Sequence, residues 1–266
     1  MASNLDAASL FRVDGMIAVI TGGGTGTSPC GTPLPFPPST LTAPKGIGLT
    51  MARALAANGA KRVYILGRRL DVLKKAEQEH GQGIFTPIQC DVTSHDSLQS
   101  AVYQITAETG FVNLLVANSG AGGPHAVWNP SLPVSEVRAN LFSQDLMEAT
   151  TNTLDVNVTG AFYTLVAFLE LLDAGNKNAL KGGFGAPAHP GSDVPSVQSQ
   201  LIVTSSIAAF SRMFMSSPAY AASKAAILHL TKQASSNMAP YGIRANALAP
   251  GRESFDRALL KVPEWD

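Results

Sequence analysis

Short apolar runs rich in β-branched residues alternate with amphipathic stretches along most of this chain. Met16–Thr21, Arg62–Leu66, Ile84–Cys90, Phe111–Ala117, Leu201–Thr204 and Ile243–Leu248 each read as a strand. Their near-continuous apolar character fits strands covered on both faces, as in a parallel sheet. Helical patterns fall between them, at Gly46–Ala56, Asp71–Glu79, Ser97–Glu108, Leu154–Leu172 and Tyr220–Met238. This alternation predicts one α/β domain over residues 1–266, a doubly wound parallel sheet with helices on both faces. Two stretches break the pattern. Residues 121–150 read as irregular, and the Gly/Pro/Ser-rich 173–200 reads as a surface excursion.

Composition narrows the function classes. Hydrophobic residues make up 45% and charged residues 14%, with a formal net charge of zero. No basic patch calls for a nucleic-acid or anionic-membrane partner. Cys30 and Cys90 are too far apart for a metal-ligand pattern, and they suggest no disulfide framework. The start of the chain lacks a basic region followed by an apolar run, and no uncharged stretch is long enough to span a bilayer. The expectation is a cytoplasmic protein without a bound metal.

In an open parallel sheet, ligands bind beyond the carboxyl ends of the strands. The first strand runs into Gly22-Gly-Gly-Thr-Gly26, and Gly46-Ile47-Gly48 opens the next helix. Such a glycine turn lets backbone approach a pyrophosphate, and the helix start offers it free N–H groups. Between the halves lies a proline-rich segment, residues 26–45, which cannot be helix or central strand. Lengthening a loop from ~4 to ~24 residues costs only ~1.6 kcal/mol of closure entropy, so the domain can tolerate it. Two readings stand. The segment is a retained intron translated in frame, since its ends and Thr40-Leu-Thr42 can be encoded by splice-site-like sequences, or it is a genuine family-specific loop. The second strand ends in Gly67-Arg68-Arg69, where an NAD-binding fold carries an acidic residue. A guanidinium there suits a ribose phosphate, so Arg68 points to NADP(H) in preference to NAD(H).

The chemistry centres on Tyr220-Ala-Ala-Ser-Lys224 with Ser205-Ser206 upstream. Residues four apart share a helix face, so the Tyr220 hydroxyl and the Lys224 ammonium can enter one cleft. A fixed cation beside a phenol favours the phenolate and makes an acid/base usable near neutral pH. A serine hydroxyl nearby can hydrogen-bond a carbonyl or alcohol oxygen. His125 and Trp128 are candidates to line a substrate pocket.

Taken in order, Thr21-Gly22 with Gly46-Ile47-Gly48, Asp91-Val92, Asn118-Ser-Gly120, Asn157, Ser206, Tyr220-x-x-x-Lys224 and Pro250-Gly251 resemble the short-chain dehydrogenase/reductase family from about Leu10 to Gly251. The resemblance implies a Rossmann-type fold and NADP(H)-dependent interconversion of a carbonyl and an alcohol. It implies Tyr220 as the proton donor or acceptor, Lys224 as the ribose contact beside it, Ser206 polarising the substrate oxygen with Ser205 as the fallback, and Asn157 ordering a water. It assigns Gly22, Gly46, Ile47, Gly48, Arg68, Asp91, Val92 and Asn118 to the cofactor, together with Tyr220 and Lys224. A homodimer or homotetramer follows from the same likeness. The chain departs from the family pattern in three places: the Ser206–Tyr220 spacing is one residue longer than the commonest, Ala117 replaces an asparagine, and only residues 252–266 follow Pro250-Gly251. Those last residues suggest a short helix at Phe255–Leu260 and no final strand. An inactive or non-catalytic dinucleotide-binding relative is the competing reading.

Overall fold

In a computed structural model of the chain, the residues described are 12–24, 46–81, 83–124, 129–212 and 217–251. The proline-rich insert after Gly26, Cys30, His125, Trp128 and residues 252–266 lie outside them.

Six strands form one parallel sheet: β1 (Ile17–Thr21), β2 (Arg62–Gly67), β3 (Phe85–Gln89), β4 (Leu114–Ala117), β5 (Gln200–Thr204) and β6 (Arg244–Leu248). Their order is β3–β2–β1–β4–β5–β6, and every pairing is parallel. The chain order reverses between β1 and β4, which places a switch-point crevice at their carboxyl ends. Strand periodicity assigns each side chain to a face. Ile17, Val19, Tyr64, Leu66 and Leu115 enter one apolar core. Ala18, Ile20, Val63, Ile65 and Val116 enter the other.

The second core is closed by α1 (Ile47–Ala57) and α2 (Leu70–Ala76), through Leu49, Ala52 and Leu73. On the first, α3 (His95–Glu108) contributes Leu98, Ala101 and Ile105. Ser94 starts α3 by accepting a hydrogen bond from Ser97 N, a side-chain N-cap. The large helix α8 (Pro218–Asn237) covers β5 and β6 on the same face, burying Ile227 and Ala234. Pro218 opens it, where a fixed φ and a missing N–H cost nothing.

Between β4 and β5 the structure differs from the sequence expectation. The stretch 121–150 holds α4 (Val134–Leu141), and α5 (Gln144–Leu154) begins within it. Helix α4 buries none of its residues, so it carries no apolar stripe to read. The expected single helix Leu154–Leu172 is three pieces. A π turn spans Asp155–Gly160, then come α6 (Ala161–Ala167) and α7 (Leu169–Ala179), separated by Phe168. Phe168 leaves helical geometry (φ −97°, ψ 4°) and its ring is fully buried. The excursion is shorter than 173–200, because α7 continues to Ala179 and Gln200 already belongs to β5. Gly175 explains the continuation: a Cβ there would collide with the Val112 carbonyl and the Ser199 hydroxyl, so its absence lets α7 lie directly on the sheet. Among the described residues, no single helix is long and apolar enough to cross a membrane.

Candidate active site

Thr21 closes β1 and is almost wholly buried. Its hydroxyl oxygen accepts from the backbone N–H groups of Asn118 and Ser119, each at 3.0 Å. The Asn118 amide returns the bond, donating to the Thr21 carbonyl at 3.1 Å, and its oxygen accepts from the Thr204 hydroxyl at 3.1 Å. One asparagine therefore ties the ends of β1, β4 and β5 at the crevice. Gly22 follows with φ +69°, a conformation that favours glycine. Gly48, in the first turn of α1, is pressed against the same place. A Cβ there would sit 2.5 Å from Asn118 Nδ2 and 2.7 Å from the Gly22 carbonyl. Gly46 caps α1 without a side-chain hydrogen bond, and Ile47 is partly exposed beside it. The helix start thus reaches the rim with backbone N–H groups that the helix itself cannot satisfy.

Asp91 and Val92 follow β3. The Thr93 backbone N–H and hydroxyl both donate to Asp91 Oδ1, at 3.0 and 2.8 Å. Partial burial pushes the Asp91 carboxyl up, but the Thr93 bonds and the charge of Arg68 outweigh it and hold the carboxyl below its usual range. Arg68, exposed at the end of β2, is therefore a neighbour of Asp91 across the rim. Gln89 donates to the Arg68 carbonyl at 3.1 Å and fixes that turn. Val92 is buried, packed where Gly160 lacks a side chain.

The reacting end lies beyond β4 and β5. Lys224 is 5% exposed and donates from Nζ to the Thr204 carbonyl at 2.7 Å. Its nitrogen stands 5.6 Å from the centre of the Tyr220 ring, so the two side chains share one side of α8. Burial pushes the Lys224 ammonium down to about 8. At neutral pH it remains largely charged, in a site where water screens it little.

The two serines separate cleanly. Ser205 is buried, and its hydroxyl donates to the Lys224 carbonyl at 2.9 Å, which ties β5 to α8. Ser206 is partly exposed and caps the 3-10 turn Ile207–Ala209, its Oγ accepting from Ala208 N at 3.1 Å. That bond uses a lone pair and not the hydroxyl proton.

Asn157 sits inside the π turn and is 1% exposed. Its oxygen accepts from Ala121 N at 2.7 Å, and its two N–H bonds go to the Ala121 carbonyl and to Ser223 Oγ, both at 2.9 Å. Gly120 lies against this group: a Cβ would come within 3.2 Å of Asn157 Oδ1 and 3.6 Å of Lys224 Nζ. Tyr220, Lys224 and Asn157 thus gather around the loop after β4, and Ser206 follows Ser205, which bonds to the Lys224 carbonyl. Gly22, Gly48, Asn118, Asp91 and Arg68 run along the rim from that point.

Sequence reading gave Thr204 and Ser223 no role and took Thr21 only as the start of the glycine motif. Each stands directly beside a residue it singled out, at a strand end or inside the Tyr220–Lys224 spacer, and polar residues at strand ends were the available signal. Two cavities among the described residues lie away from these side chains. One of about 510 Å³ is lined by Lys61, Phe111, Asn178 and Phe184, and none of the predicted site residues lines it.

The residues present suit a nicotinamide dinucleotide. Missing side chains at Gly22 and Gly48 leave backbone at the helix start, and a buried cation lies beside a phenol at the loop after β4. A family model described as short chain dehydrogenase matches residues 41–180 and 195–256. A short-chain dehydrogenase/reductase, SAT3 of Stachybotrys chartarum, is 58% identical over 216 residues, covering 81% of this chain and 79% of its own. PhomF of Diaporthe leptostromiformis, also a short-chain dehydrogenase/reductase, is 44% identical over 250 residues, 93% and 73% respectively. Among solved structures, an NAD+-bound xylitol dehydrogenase superposes with a TM-score of 0.66 at 25% identity, covering 93% of this chain and 74% of that one. This chain belongs to the short-chain dehydrogenase family: it is an oxidoreductase built for a nicotinamide dinucleotide and a small-molecule substrate.

Proposed function

We propose that the chain interconverts a carbonyl and an alcohol on a small organic substrate with NADP(H). The observation that carries this is the buried Lys224 beside the Tyr220 ring, with the partly exposed Ser206 following Ser205, whose hydroxyl bonds to the Lys224 carbonyl. When bound, the nicotinamide supplies or accepts the hydride. The chain's own residues handle the rest. Ser206 donates a hydrogen bond from its hydroxyl to the substrate oxygen and orients it. Tyr220 delivers the proton to that oxygen during reduction and takes it back during oxidation. Lys224 offers N–H donors toward a ribose beside the Tyr220 ring. Asn157 holds the loop after β4 against α8, with Gly120 between it and Lys224.

Gly22, Gly46, Ile47 and Gly48 present backbone to the pyrophosphate, while Asp91 and Val92 border the adenine and Asn118 lines the cofactor channel. The preference for the phosphorylated cofactor rests on Arg68. Its guanidinium is exposed at the end of β2, where Gly67 replaces a carboxylate. The xylitol dehydrogenase that this chain resembles holds NAD+, so the comparison of the two cofactors is part of the test. Self-association is supported by Tyr103, Tyr163 and Val166, exposed on the packed helices α3 and α6.

The experiment is fluorescence of NADPH and NADH on mixing with the chain, then turnover with a panel of ketones. Tighter binding of NADPH and its consumption with a ketone are the expected results. Binding without turnover on any ketone would instead support a non-catalytic dinucleotide-binding protein.

A further inference from the structure

Ser223 lies inside the Tyr220–Lys224 spacer and is wholly buried. Its hydroxyl is used twice. It donates to the Tyr220 carbonyl at 2.7 Å and accepts from Asn157 Nδ2 at 2.9 Å. The Asn157 amide has no N–H to spare, because its other one goes to the Ala121 carbonyl at 2.9 Å. The Asn157 oxygen meanwhile accepts from Ala121 N at 2.7 Å. A single chain of bonds therefore runs from the backbone of the proton-handling tyrosine, through Ser223 and Asn157, to the residue after Gly120. Both ends of that chain border the place where Lys224 Nζ approaches Gly120. An interior network of this kind fixes geometry when every member is satisfied and loosens when one is removed.

We propose that Ser223 is a positioning residue of this active site. It sets the first turn of α8, and with it the Tyr220 phenol, against the loop after β4, acting through Asn157. The inference rests on the catalytic reading above for its effect on turnover, and on geometry alone for the tie itself. Removing the hydroxyl leaves an Asn157 N–H buried without an acceptor and frees the asparagine to turn. The bond it loses serves position rather than binding, so the effect belongs in kcat and not in KM.

The test compares the wild-type chain with Ser223→Ala, Asn157→Ala and the double variant. Alanine is smaller than serine, so the first change introduces no clash. Hydrogen exchange reads the tie without any turnover: in Ser223→Ala the Ala121 amide should exchange about tenfold faster, while Val116 in β4 keeps its protection. In turnover, Ser223→Ala should lower kcat about tenfold or more, with KM and the NADPH dissociation constant within about twofold of wild type. Because Ser223 acts through Asn157, the double variant should be no slower than Asn157→Ala alone, a failure of additivity. Unchanged Ala121 exchange in Ser223→Ala would overturn the proposal whatever the turnover. So would accelerated exchange with unchanged kcat, or strictly additive losses. A wild-type chain that turns over no substrate would refute the catalytic reading, and with it the positioning role, while the exchange result would still decide whether the tie exists.

Discussion

Replacing Lys224 with methionine probes the energetic heart of the site. Methionine is unbranched and apolar, so it fills much of the same space without a charge. In the native chain the Lys224 ammonium is 5% exposed, and burial takes it from its ordinary 10.5 to about 8. At about 1.36 kcal/mol per pH unit, that is roughly 3 kcal/mol of folding stability withheld while the lysine is charged. The sign follows from proton counts. Below about pH 8 the lysine is protonated in both folded and unfolded chains, and the folded chain bears the full desolvation cost. Between about 8 and 10.5 the unfolded chain holds the proton that the folded chain has released, so stability rises with pH.

Two other groups act oppositely in that range. Burial raises the Cys90 thiol and the Tyr64 phenol, so their contributions fall as pH rises. Both remain in the variant and cancel in a difference. Loss of the bond to the Thr204 carbonyl costs the variant about 1–3 kcal/mol at every pH, a constant offset. The assay is urea unfolding of both chains without cofactor from pH 7 to 10.5. The wild-type stability minus that of Lys224→Met should climb by about 3 kcal/mol across the range. A flat difference would show that the ammonium is solvated, and the reasoning about the site would fail with it.

Three further outcomes follow from the geometry. Tyr220→Phe should retain NADPH binding by fluorescence and lose roughly 10²- to 10⁴-fold in kcat, the range for a positioned acid/base. Arg68→Ala should weaken NADPH by about tenfold and leave NADH nearly unchanged in paired titrations, since one charge-assisted contact to the ribose phosphate is removed. Gly48→Ala places a Cβ 2.5 Å from Asn118 Nδ2 and 2.7 Å from the Gly22 carbonyl, so α1 must shift. A loss of about 1–3 kcal/mol in unfolding, together with weaker binding of either cofactor, is expected.

The centre of the sheet was legible because β1, β2 and β4 are buried on two faces and therefore read as compact apolar runs. Val19 and Ile20 point to opposite cores, and neither leaves a polar gap in the pattern. Helix α4 escaped because it buries nothing, and the start of α5 because its cue was one capping serine, Ser143, accepting from Leu146 N. The π turn was invisible for a different reason. A local change of helical pitch leaves the apolar periodicity almost intact, yet it decides where Asn157 points. In the site, Tyr220 and Lys224 could be named from helix spacing, and the pair Ser205-Ser206 from a strand end. The choice between Ser205 and Ser206 could not, because it turns on which hydroxyl faces the Lys224 carbonyl. The ties through Thr21, Thr204 and Ser223 depend on long-range partners that only the fold brings together.

The claim on which the account depends is that a hydride moves between the phosphorylated nicotinamide and a substrate carbon while Tyr220 handles the proton. NADPH deuterated at the transferable position, incubated with the chain and a reducible ketone, tests it directly by mass analysis of the product. The account predicts an alcohol carrying the label on its carbinol carbon, formed by the wild-type chain and not by Tyr220→Phe. An unlabelled alcohol, or equal labelled product from the phenylalanine variant, would contradict it.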